Sequence, residues 1–415
     1  MRQFRIYIVI AFLMLTSPAI GQVEFGGFLQ ALHGGRLDEE NPTETEYTAS
    51  ETRLQLKMEH FADRAEFFGR LDFTYDAAVM QEYDWELREA YMKFRLGRDF
   101  DFKVGRQILT WGTGDLIFIN DVFAKDYRSF FIGRDDQYLK APQDAIRGEY
   151  YGNIGAVTVI WTPRFEANRL PAGRRLSFFN PMSGAIVGAS GGMQPVMPEA
   201  KFENSEIAIR YNKHFGYFNT ALYFYHGFYK NPVGFDPNLG APVYPDLRVY
   251  GASVRGPLAG GVLWLEGGYM HSIDDEDGDN PYLPNSSITG LFGYEKQIAT
   301  NLTANIQYQA DMMMEYETYE MQQSSSGGYV RDEVKHLLTS RVTKLLYSEL
   351  LKLSGFIFYS PSEEDMYLRL AAEYKYTDEI IITVGGNIFD GEYEATDFGQ
   401  FQKNDNAYLK LTYGF

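Results

Sequence analysis

Along residues 302–312 the apolar and polar positions alternate without a break. Leu302, Ala304, Ile306, Tyr308, Ala310 and Met312 fall on one register; Thr303, Asn305, Gln307, Gln309 and Asp311 fall on the other. Successive side chains of a strand point to opposite faces, so this spacing predicts a half-apolar β-strand. The same alternation recurs at Leu54, Leu56 and Met58, at Leu71, Phe73 and Tyr75, and at Leu368, Leu370, Ala372 and Tyr374. Strand segments follow one another from 23–34 to 404–415, eighteen in all, with sixteen as the alternative count. Short connections such as "FADR", "GRDF", "GNIG" and "HFGY" alternate with longer ones at 111–143, 164–202, 229–246 and 314–331. That rhythm predicts an all-β fold: one closed transmembrane antiparallel β-barrel with short periplasmic turns and long external loops. In such a barrel the apolar register meets lipid and the polar register lines a wet interior. A soluble sheet would instead bury its Leu and Tyr rows in a core.

The two ends of the chain sharpen this reading. Arg2 and Arg5 precede ten apolar residues, Ile6–Leu15, and the small residues of "TSPAIG". The expectation is a secretory signal peptide over 1–21, leaving 22–415 as a single barrel domain. The last segment, "NAYLKLTYGF", alternates to its final residue, as a closing strand would. Tyr413 and Phe415 in it resemble the C-terminal assembly signal of bacterial outer-membrane proteins, which implies handling by the barrel-assembly machinery.

Composition then excludes alternatives. There are 31 Tyr and 31 Phe, yet mean hydropathy is negative and no later apolar run is long enough for a membrane helix. The formal charge of −18 argues against nucleic acid as a partner. There is no cysteine, hence no disulfide framework. Outer-membrane lipid and lipopolysaccharide are the partners such a chain predicts, with small hydrophilic solutes inside; no cofactor is called for. Within "IDDEDGDNP", Asp275, Asp277 and Asp279 offer oxygen ligands for a calcium ion at an external loop, with a solvated acidic loop as the plainer alternative.

The polar register carries the candidate chemistry. Arg53, Lys57, Arg70, Lys93, Arg95, Lys103, Arg147, Arg210, Arg369, Lys375 and Lys410 all fall on it, most of them on strands that become neighbours when the barrel closes. This basic wall reads either as an anion-selective lining or as a structural one neutralised by Glu51, Asp72, Glu89 and Glu149. The segment 111–143 mixes Trp111 and several Phe with Asp115, Asp121, Asp126, Arg128 and Arg134. A wet external loop has no use for so many apolar residues, so it is expected to fold inward as a constriction.

The stretch Gly105-Arg106-Gln107 with Trp111-Gly112 and Asp115 resembles the strand-loop motif of alginate-export-type porins. It is also similar to a related uncharacterised proteobacterial porin family with a GRQ…WG pattern. The resemblance implies an eighteen-stranded outer-membrane porin with a basic lumen, passing small hydrophilic or acidic solutes. A barrel serving as sheath for an exported polymer or partner protein is the alternative. An enzyme is the least favoured: His271 and Ser272 are adjacent in a strand and point apart. Arg106 falls on the apolar register, where a bulge or a place near the rim must turn it inward.

Overall fold

The computed structural model describes residues 23–415 except positions 39, 44, 80 and 81. The segment read as a signal peptide lies outside the described residues. Eighteen strands form one antiparallel sheet. In chain order they are β1 (Val23–Arg36), β2 (Tyr47–Ala62), β3 (Ala65–Asp76), β4 (Glu82–Leu96), β5 (Phe100–Ile108) and β6 (Pro142–Gly152). Next come β7 (Gly155–Thr162), β8 (Glu206–Phe215), β9 (Phe218–Phe228), β10 (Asp246–Leu258), β11 (Gly261–Ser272) and β12 (Ser287–Ala299). The last six are β13 (Leu302–Met313), β14 (Val334–Leu346), β15 (Leu351–Ser360), β16 (Asp365–Lys375), β17 (Ile380–Gly391) and β18 (Asn406–Gly414). All eighteen coincide with the alternating segments, and each pairs with its neighbours in sequence.

The sheet closes where β18 meets β1. Leu29 lies opposite Tyr413 and Gly34 opposite Tyr408. Gly27 N–H donates to the Phe415 carbonyl (2.9 Å) and Phe415 N–H to the Gly27 carbonyl (3.1 Å). No edge is left with unpaired backbone groups, the condition for a β-structure in hydrocarbon. Leu222, Ile306, Leu370, Val384 and Leu409 stand about half exposed on the outer face, whereas Gln30, Gln55, Asp72, Gln107, Glu266, Gln307 and Asn387 are buried inside. An apolar belt around a polar interior is the reverse of a water-soluble globule, and it is what a bilayer-spanning barrel requires. Among the described residues no helix is long and apolar enough to cross a membrane.

Among the described residues the register slips at three places: near the strand ends at Gly34/Gly35 and at Gln297/Ala299, and within the barrel wall between β3 and β4. On β4 the pairing with β3 slips between Arg70 and Leu71: Glu89 opposes Arg70, Leu87 opposes Leu71, and Arg88 is the extra residue. The bulge turns Arg88 into the lumen, where it is 1% exposed and donates to the carbonyls of Gln137 (3.1 Å) and Lys140 (3.0 Å). Arg106 sits beside this bulge, where the β4–β5 ladder ends. Its Nε bonds the free Leu87 carbonyl (2.7 Å), and its Nη1 meets Asp144 (3.2 Å) and Glu166 (3.5 Å). An arginine on the outer register is thereby drawn out of lipid and fully paired.

Candidate functional site

The segment 109–141, between β5 and β6, runs inside the barrel and is fixed at its root by the motif residues. Trp111 is buried edge-on to Phe123 (5.1 Å between ring centres) and tilted against Tyr223 (5.9 Å). Gly112 has φ +80°, and a Cβ there would stand 2.9 Å from Oε1 of Glu266 on β11. Freed of that side chain, the turn brings four donors onto one buried carboxylate. Thr113 N–H (2.5 Å) and Oγ1 (2.7 Å) donate to Oε2 of Glu266, and Asn120 N–H and Nδ2 (both 3.0 Å) donate to Oε1. Gly112→Val is therefore expected to disorder the loop root, seen as increased open-channel noise in planar bilayers, while barrel assembly proceeds.

From this root the segment crosses to the opposite walls. Asp115 takes bonds from Asn305 Nδ2 (2.8 Å) and Arg341 (3.0 Å) on β13 and β14. A short helix, α1 (Tyr127–Phe131), is capped by Asp126, whose carboxylate accepts from Ser129 N–H (3.0 Å). Phe130 and Phe131 pack on Tyr367, Phe358 and Phe389, with ring centres from 5.3 to 6.4 Å apart. The next residues are ionic. Arg134 joins Glu51 of β2 (3.1 Å), Asp135 joins Lys410 of β18, and Asp136 joins Arg369 of β16 (2.7 Å) and Arg341 (3.6 Å). The Tyr138 hydroxyl donates a hydrogen bond to Asp72 of β3 (2.7 Å). The loop thus spans the lumen with an apolar middle and a charged tip.

The predicted basic wall is largely consumed by pairing. Arg53 is 3% exposed between Glu51 and Asp72 (2.7 Å each). Lys57 pairs with Glu59 (2.8 Å), Arg70 with Glu89 (3.5 Å), Lys93 with Glu66 (3.8 Å) and Lys103 with Glu89 (3.9 Å). Arg95 meets Asp101 and Arg147 meets Glu149, at 2.6 Å each. Of the predicted set, Arg210 and Lys375 alone have no carboxylate at ion-pair distance among the described residues, and Arg210 lies 5.6 Å over Trp111. Opposite charges two residues apart on a strand, or facing each other across the ladder, share one face and settle together in a confined interior.

Positive charge in excess appears elsewhere. A cavity of about 650 Å³ opens above the loop against β2–β4, and seven arginines line it against four carboxylates. Arg53, Arg106, Arg128 and Arg134 are joined there by Arg169, Arg174 and Arg175 from the segment between β7 and β8. Arg169 is held by Glu86 (2.5 Å) and Asp126 (3.4 Å), and Arg175 by Asp76. Arg128 touches Asp126 only at 3.8 Å and leaves 45% of its side chain open to the cavity; Arg174 has no ion pair among the described residues. Burial, partly offset by Asp126 and reinforced by Arg169, Arg134 and Arg175, lowers Arg128 from its ordinary value. Sequence reading took 164–202 for an external loop and so passed over these arginines. The run Arg174-Arg175 beside Arg169 was the available signal.

At the loop tip, burial pushes Asp136 up, but Arg369 and Arg341 more than offset this and hold it below the ordinary carboxylate value of 3.8. A depressed folded-state value contributes stability above the unfolded value and loses it as pH falls through the folded one. Conductance is therefore expected to stay constant from neutral pH down to about 4 and to rise only below it, measured on single channels in a pH series.

Of Asp275, Asp277 and Asp279, the expected calcium ligands, Asp275 turns inward and accepts from Asp279 N–H (3.1 Å) and Asn280 N–H (3.2 Å). Among the described residues no group of three metal-ligating side chains converges. Asp121 is buried with Lys125 (3.0 Å) and Thr110 (2.8 Å) on the inward loop. Ser272 is fully buried while His271 engages Tyr269 (3.3 Å), so the two make no catalytic pair.

No protein-family model matches this chain, and no curated protein matches it either. Solved structures do. OccAB3 of Acinetobacter baumannii superposes with TM-score 0.56 at 10% identity, covering 95% of this chain and 99% of that one. OccAB4 of the same organism gives 0.55 at 10% identity, over 96% and 100% of the two chains. OccK5 (OpdH) of Pseudomonas aeruginosa gives 0.55 at 9% identity, over 95% and 98%. The likeness is one of fold. It extends over nearly the whole length of each chain.

Proposed function

We propose that the protein is an outer-membrane porin for passive passage of small hydrophilic solutes, with preference for anions. The observation that carries this reading is the arginine-rich cavity over an inward loop in a wide closed barrel. Eighteen strands enclose more space than wall side chains fill. A loop tied across that space sets the bore, and the surplus guanidinium charge draws anions toward it. Selectivity resides in Arg128 and Arg174 more than in the strand-borne basic residues, most of whose charge is spent on their neighbours. The motif on which the alginate-export-type resemblance rests roots the loop here, and it speaks to channel architecture and not to a substrate. Tyr413 and Phe415, half exposed at the seam, are the features for assembly machinery to read, and lipopolysaccharide surrounds the external loops.

The test is single-channel recording of refolded protein in a salt gradient. Native barrel is expected to conduct with an anion-favouring reversal potential. Changing Arg128 and Arg174 together to Glu is expected to lower the anion-to-cation permeability ratio by at least about twofold. Well-folded protein that carries no current would remove the proposal.

A further inference from the structure

The loop and the segment between β7 and β8 divide the external half of the lumen in two. Residues 125–128 and 168–169 form the partition: Asn168 Oδ1 accepts from Lys125 N–H (2.7 Å), Arg169 N–H donates to the Lys125 carbonyl (2.8 Å), and Arg128 N–H to the Arg169 carbonyl (3.3 Å). The arginine cavity lies on one side. On the other, against β9–β13, lies a second cavity of about 300 Å³.

We propose that this second cavity is a binding site for an uncharged, hydroxylated solute of sugar size. Its charges are already spent. Lys125 is held by Asp121 (3.0 Å) and the Phe123 carbonyl (2.7 Å), Lys230 by Glu206 (2.6 Å), and Asp311 by Arg331 (3.0 Å) and Thr289 (2.6 Å). What remains on the lining is aromatic and amide surface: Phe118, Tyr127 and Tyr229 beside Asn231, Gln309 and Ser287. Asn231 spends its Oδ1 on Asn168 Nδ2 (2.7 Å) and keeps its own Nδ2 free. Gln309 has neither end of its amide bonded within the described protein, although it projects inward from β13 beside Gln307. Ring faces cover the C–H face of a pyranose, and an amide supplies one donor and one acceptor to neighbouring hydroxyls. A charged solute gains nothing here, because every ionic partner is already engaged and its desolvation goes unreturned. The volume lies at the lower end for small-molecule sites, which suits a monosaccharide better than an oligomer.

Isothermal titration of the detergent-solubilised full-length barrel with glucose tests this without reliance on transport. Saturable binding in the millimolar range is expected, about −4 kcal/mol at 1 mM. Tyr229→Ala is expected to weaken it at least tenfold, and so is Gln309→Leu, which breaks no contact within the protein and serves if the first variant fails to fold. Arg174→Glu, which lines the other cavity, is expected to leave it unchanged, and citrate is expected not to compete. No saturable heat up to about 100 mM glucose overturns the site. Binding that survives both variants, or that is lost with Arg174→Glu, overturns it equally. A failed reversal-potential experiment leaves this result standing, so the two proposals fail separately.

Discussion

Replacing Glu266 by alanine is expected to raise single-channel conductance at least about twofold and to make the current noisy. Four donors from Thr113 and Asn120 converge on this one carboxylate, which is 5% exposed. Each buried donor left without an acceptor costs about 1–3 kcal/mol, a cost the loop escapes by leaving the wall and meeting water. Glu266→Gln keeps one acceptor oxygen and is expected to fall between native and alanine. The barrel itself does not depend on this contact, since the strand ladder is complete without it, so heat-modifiable migration on gels should be preserved. Unchanged conductance in the alanine variant would show that the loop does not set the bore.

The second large effect concerns the outer belt. Leu370 and Ala371 are neighbours at the middle of β16, the first half exposed on the outer face and the second beside Arg369 on the lumen face. Leu370→Arg is expected to destabilise the barrel by about 2–4 kcal/mol in lipid, the cost of a guanidinium near the bilayer midplane. Ala371→Arg adds the same side chain at the same depth but to a wet interior, and less than half that loss is expected. Urea unfolding in vesicles compares them directly. Equal losses at the two positions would contradict the assignment of faces on which the whole membrane reading stands.

The strands were legible because each carries its own signal. In β13 the apolar residues at 302, 304, 306, 308, 310 and 312 need no other part of the chain to declare which face they share. The inward course of the loop was legible for a similar reason, since Trp111, Phe123, Phe130 and Phe131 have no use outside a core. What those residues would touch was not. Thr113 meets Glu266, Arg134 meets Glu51 and Asp136 meets Arg369, partners far apart in sequence. Glu266 itself lies on the polar register like any lumen residue, and nothing local marks it as the anchor. The bulge at Arg88 escaped because one extra residue inverts the register after it without leaving a mark in composition.

The sequence by itself determined that this chain is a closed barrel with a greasy outside and a wet inside, because period-two alternation is a property of each strand taken alone. Tertiary structure decided where the charge is free. Most strand-borne basic residues find carboxylates along their own strand or across the ladder and cancel, whereas Arg128 and Arg174 stand on segments folded into the lumen with too few acids to meet them. Coulomb pairing depends on distances of a few ångströms between side chains, and those distances exist only once the loops have been laid against the wall.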